Sequence, residues 1–177
     1  MPFAVARTRD EALLYLELNP CEDCGSSAAR WEQGLTVADG ELATGYVGIC
    51  PGCGIEREFL FGLPERETAA GSFPTLGGPE PSELVDAGQW LQVADDAAGD
   101  VPVDDQAEAA RLLAIARAAV EEVIKLIPQG RDAVPDEAFW TEDGLRVRDA
   151  EPGRFRLERL LVVRDTYRDL GTDPGVN

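Results

Sequence analysis

Histidine is absent from this 177-residue chain. That removes the commonest general base, every Ser-His or Cys-His dyad, and imidazole as a metal ligand. Lysine occurs once, at Lys125, against fifteen arginines, a ratio that reflects genome base composition more readily than function. No apolar run approaches the ~18 residues of a membrane span. The opening residues, Met1-Pro2-Phe3-Ala4-Val5-Ala6-Arg7, lack the apolar stretch of a secretion signal. A phosphate-binding glycine loop is missing too, because Gly77-Gly78-Pro79 has neither the lysine nor the helix context it needs. Carboxylates are plentiful, but the adjacent pairs Asp95-Asp96 and Glu121-Glu122 point in different directions on a helix. These absences predict a cytoplasmic protein that is not an enzyme.

What is present centres on four cysteines. They form Cys21-x-x-Cys24, an insert of 25 residues, and Cys50-x-x-Cys53. Two such pairs supply four thiolates, and Zn²⁺ takes four ligands tetrahedrally, which closes the site. In a chain without a leader the pattern favours metal over disulfides. Each pair is followed by glycine, Gly25 and Gly54, which lets the backbone adopt a positive φ and turn its amides toward sulfur. The Cys21-Glu22-Asp23-Cys24-Gly25 and Cys50-Pro51-Gly52-Cys53-Gly54 segments resemble the knuckles of a zinc ribbon, over residues 19 to 63. The resemblance implies two knuckles on β-hairpins, a three-stranded antiparallel sheet, and Cys21, Cys24, Cys50 and Cys53 as zinc ligands. Zinc ribbons serve in nucleic-acid binding, protein docking and structural stapling, so the likeness fixes the metal better than the function.

The remaining pattern predicts an α+β chain in three parts: a short helix plus ribbon over 1–63, a linker over 64–81, and a mostly helical acidic domain over 82–177. Thr8 and Glu11 have capping-box spacing ahead of a helix over 9–18. Residues 30–37 and 41–49 read as strands joined by Asp39-Gly40, and 55–61 as a third strand. Trp31, Tyr46, Phe59 and Phe61 suit packing better than base stacking, given Glu32, Glu41, Glu56 and Glu58 around them. Four prolines and three glycines mark 64–81 as irregular. A helix over 83–98, with Ser82 as N-cap, and a longer one from Asp104 or Asp105 to Pro128 predict an antiparallel pair. On the longer helix Arg117–Glu121 and Glu121–Lys125 are i, i+4 pairs. Residues 139–148, around Glu142-Asp143-Gly144, suggest a small β-hairpin, and 154–170 a final helix.

Thirty-four acids against sixteen bases give a net charge of −18, or about −20 with four thiolates and Zn²⁺. Such a chain is a poor default partner for phosphate backbones. The charge is also segregated: residues 64–110 carry −10, and no basic residue stands between Arg66 and Arg111. Asp86, Asp95, Asp96, Asp100, Asp104 and Asp105 are therefore candidates for an acidic face that meets a basic protein. An inhibitor, antitoxin or immunity protein for a basic toxin fits that character. Ordinary readings compete: acidity as a solubility device, acids at helix N-termini, or Arg154, Arg156, Arg164 and Arg168 folding back on the patch. The alternative function is a nucleic-acid-associated ribbon using Arg30, Trp31, Arg57, Arg146, Arg148, Arg154 and Arg156.

Overall fold

The computed structural model describes residues 3–65 and 73–172. The chain divides into two compact units, residues 1–69 and 70–177. It is an α+β protein with one three-stranded antiparallel sheet and five α-helices among the described residues.

In the first unit, helix α1 (Arg9–Leu18) starts where expected, with the Thr8 side chain accepting from the Glu11 N–H at 3.1 Å. The Glu11 carboxylate turns to Arg7 instead of completing a box with Thr8. It accepts from the Arg7 backbone N–H at 2.7 Å and from the guanidinium at 2.6 to 3.1 Å, and the pair is buried. Strands β1 (Arg30–Ala38) and β2 (Glu41–Ile49) form a hairpin closed by Asp39 and Gly40, both at positive φ. β3 (Glu56–Gly62) pairs with the other side of β2, so the sheet order is β1-β2-β3.

Register partners share a face of the sheet. Trp31, Gly48 and Arg57 form one row, Gln33, Tyr46 and Phe59 the next, and Leu35, Thr44 and Phe61 the third. Tyr15 of α1 meets Phe59 and Phe61 edge-on, Tyr46 meets Phe61, and Trp31 meets Phe59. The aromatics thus pack among themselves and against α1. Gly48 makes this possible, since a Cβ there would lie 2.9 Å from the Trp31 ring.

In the second unit, helices α2 (Ala87–Gly99), α3 (Gln106–Lys125) and α5 (Leu157–Thr172) pack in sequence, with α4 (Glu142–Ala150) against α2. The core joins Trp90, Leu91 and Ala94 to Ala116, Ala119, Val120, Val123 and Leu160. Each large apolar side chain so buried is worth about 1.5–3 kcal/mol. Alanines on α2 and α3 let the two helices approach closely. Of the expected linker, residues 66–72, including Arg66 and Gly71, lie outside the described residues. Residues 73–86 form no helix or strand.

Three expectations change here. α2 begins at Ala87, not Glu83, because Asp86 is the N-cap and exchanges a full capping box with Gln89, while Ser82 holds the preceding turn by accepting from Leu84 and Val85. The expected hairpin around residues 139–148 is instead a 3₁₀ turn (Asp136–Ala138) followed by α4. Thr141 caps α4 by accepting from Gly144 N–H at 3.0 Å, and Glu142 and Asp143 lie in its positive first turn, where acids are favourable. Lastly, Lys125 reaches Glu122, three residues back, at 2.5 Å and the Gly78 carbonyl at 2.7 Å, not Glu121. Glu122 is the more buried acid, so its charge has more need of a partner.

Candidate metal centre

The two knuckles have matching backbones. In the first, Gly25 N–H donates to the Cys21 carbonyl at 2.7 Å and Cys21 N–H to the Ser26 carbonyl at 2.9 Å. In the second, Gly54 donates to Cys50 and Cys50 to Ile55, both at 2.8 Å. Gly25 and Gly54 have φ of 72° and 79°, the left-handed conformation that glycine adopts without cost. The glycine after each cysteine pair is therefore a geometric requirement of the turn. Each turn then presents two sulfurs on one side.

The turns face one another and bring four sulfurs together, all within 4.8 Å of each other. Two close approaches run across the knuckles, with Cys21 to Cys53 at 3.6 Å and Cys24 to Cys50 at 3.4 Å. A tetrahedral metal with sulfur bonds of about 2.3 Å separates its ligands by about 3.8 Å. A disulfide needs about 2.05 Å, and all four thiols are free. The four cysteines are thus positioned to hold one metal ion. Cys21 and Cys50 are buried, while Cys24 and Cys53 are exposed. Gly52 belongs to this packing, since a Cβ there would stand 2.9 Å from Cys24 Sγ.

Backbone amides tune the sulfurs. The N–H groups of Cys53 and then Gly52 hold Cys50 down to about 6, against desolvation. Ser26 N–H pulls on Cys24 and Ile55 N–H on Cys53, the same offset in both knuckles. Desolvation and neighbouring sulfurs outweigh those amides, so Cys24 is raised and Cys53 is pushed up to about 12. Four sulfurs this close cannot all ionise alone, and a bound cation is what relieves them. The amides of Ser26 and Ile55 are partners that the cysteine spacing alone does not reveal.

The acidic candidates scatter into three environments. Asp86 is fully buried and leaves the proposed face altogether. Its carboxylate accepts from Gln89 N–H, Trp140 N–H, Thr141 N–H and the Thr141 hydroxyl. Asp95 pairs with Arg154 through two bonds of 2.7 and 2.5 Å, so one arginine of the last segment does fold back. Asp96, Asp100, Asp104 and Asp105 remain exposed at the end of α2 and in the connection to α3. None of these four has an ion pair among the described residues. Asp105 also caps α3 by accepting from Glu108 N–H at 3.0 Å.

Most of the arginines named for nucleic-acid contact are occupied. Arg57 stacks over Trp31 and Phe59 and donates to the Asn19 carbonyl at 2.5 Å. Arg146 pairs with Asp143, Arg148 with Asp136 and Asp149, Arg154 with Asp95, and Arg156 lies 4.0 Å from Glu158. No protein-family model, curated protein or solved structure matches this chain.

Proposed function

We propose that the four thiolates hold zinc, that the first unit is a zinc ribbon, and that the chain is a non-catalytic binding module for a basic protein. Soft thiolate donors in a tetrahedral set suit zinc. Four of them fill its coordination shell, leaving no position at which a substrate could be polarised. The metal's contribution is then to folding, where structural zinc in small peptides is worth about 10–16 kcal/mol apparent. A toxin-type enzyme with a basic working face is one partner of the required kind, and the chain would act as its antitoxin or immunity protein.

One observation carries the partner reading: Asp96, Asp100, Asp104 and Asp105 are exposed and without ion pairs among the described residues. Negative charge at the C-terminal end of α2 opposes the helix dipole, so Asp96 and Asp100 are there at some cost to the helix. Such a patch speeds association with a basic surface and selects against acidic ones. The experiment has two arms. Elemental analysis of protein purified under reducing conditions should find one zinc per chain. Capture from the native host, with every bound protein identified, should recover a basic partner that is lost when the four aspartates become Asn. Asn at 105 keeps the α3 cap. Equal recovery with the variant at low salt would remove the acidic face from the proposal.

A further inference from the structure

We propose that β1 is a docking edge for a second copy of this chain, pairing antiparallel with that copy's β1 about a two-fold axis at Gly34. The two three-stranded sheets would then become one. The contact lies wholly in the first unit and does not depend on the acidic face.

β1 forms one edge of the sheet. It runs nine residues in unbroken register with β2, from Arg30↔Ile49 to Ala38↔Glu41, without a bulge. It also lacks proline and lysine, the usual guards of an exposed edge. Ala38 and Glu41 close the two-residue turn as a bonded pair, so alternate residues Trp31, Gln33, Leu35 and Val37 turn N–H and C=O outward. Leu35 and Val37 are 69% and 70% exposed, and Leu42, across from Val37, is 51% exposed. The other edge is partly closed, since Val5 bridges to Gly62 of β3. The open strand is therefore long and unbulged, with Leu35 and Val37 exposed along it.

Charge selects the occupant. β1 holds one arginine and one glutamate, so it is neutral in a chain of net −18. The strip itself offers a basic partner no opposite net charge. Two copies of this acidic chain, by contrast, meet there through strands that carry no net charge. Antiparallel pairing centred on Gly34 gives all nine residues a partner, which no other centre does. Arg30 then faces Ala38 of the second copy, Trp31 faces Val37, Glu32 faces Thr36 and Gln33 faces Leu35. No like charges stand opposite one another. The contact is isologous and closes as a dimer.

Gly34 supplies the test, because it would face itself and a Cβ there meets nothing within 4 Å. The zinc-loaded full chain is followed by sedimentation equilibrium from micromolar to sub-millimolar protein, at low and high salt. The wild type should rise from 19.1 kDa toward twice that mass, more readily at high salt, where repulsion is screened. Gly34→Glu and Gly34→Lys should each stay monomeric alone, and an equal mixture should recover the dimer. The Co²⁺ spectrum of each variant checks that its thiolate site still forms. A wild type that stays monomeric throughout would overturn the proposal. So would a Gly34→Glu protein that dimerises as the wild type does, larger open-ended species, or a mixture that remains monomeric while the wild type pairs.

Discussion

The hydroxyl and the backbone N–H of Thr141 both donate to the same carboxylate oxygen of Asp86, at 2.6 and 2.8 Å, across 55 residues of sequence. The other oxygen accepts from Gln89 N–H at 2.9 Å. One buried acid therefore serves the N-terminal ends of two helices, α2 directly and α4 through its capping threonine.

Replacing Asp86 with Ala should cost about 3–5 kcal/mol, combining a lost N-cap with buried amides left unsatisfied. Asp86→Asn should cost less, since one oxygen still accepts. Urea unfolding followed by tryptophan fluorescence measures both. A loss below about 1 kcal/mol for the alanine variant would contradict the double role.

Glycine substitutions should split by site. A methyl at Gly88 overlaps the Gly144 backbone, and one at Gly144 overlaps the Asp86 carboxylate. Both alanine variants should destabilise by about 2 kcal/mol or more, despite the better helix propensity of alanine. Gly99, at the end of α2, has open space, so Gly99→Ala should gain about 0.5 kcal/mol. Thermal melts of the three proteins should rank in that order.

Arg7 and Glu11 form a buried ion pair at 2.6 Å in the first unit. Glu11→Ala takes from the buried Arg7 guanidinium the carboxylate it meets at 2.6 Å, so it should destabilise that unit by about 3–5 kcal/mol. Joint replacement with apolar residues of similar volume should recover much of the loss. A double-mutant cycle without coupling would count against the pair.

Metal removal should act on the first unit selectively. Chelation, or Cys50→Ser, should abolish the sheet's protection against amide exchange while the helices of the second unit keep theirs. Lowering the pH should release the metal, because protons compete for thiolates that must stay ionised to bind. The accompanying proton uptake can be measured by calorimetry. Retention of full sheet protection after complete metal loss would show that the sulfurs contribute nothing to stability.

Much of this fold is legible in the sequence where its causes are local. Thr8, Asp39-Gly40 and Asp105 each act within a few residues, and α1, the hairpin and α3 start or turn where those residues stand. The cysteine cluster is legible as well, because its spacing and following glycines encode a local turn used twice. Leu145-Arg146-Val147-Arg148, whose alternation imitates a strand, hides α4. Thr141 followed by two acids is the signal that outweighs it. The start of α2 shifted because Ser82 and Asp86 are both sound caps, and only the second has Gln89 three residues on. The burial of Asp86 and the Asp95–Arg154 pair arise from contacts 54 to 59 residues apart, which no local pattern records.

The cross-knuckle approach of the sulfurs has a further consequence for the hairpin between them. Strands with glycine on both partners, as at Gly34 and Gly45, are prone to slide one residue past each other, since little side-chain mass opposes the slip. Here the Asp39-Gly40 bend anchors one end, and a metal shared by both knuckles would anchor the other. A slide would have to undo both anchors at once, so the ion would fix alignment as well as adding binding energy.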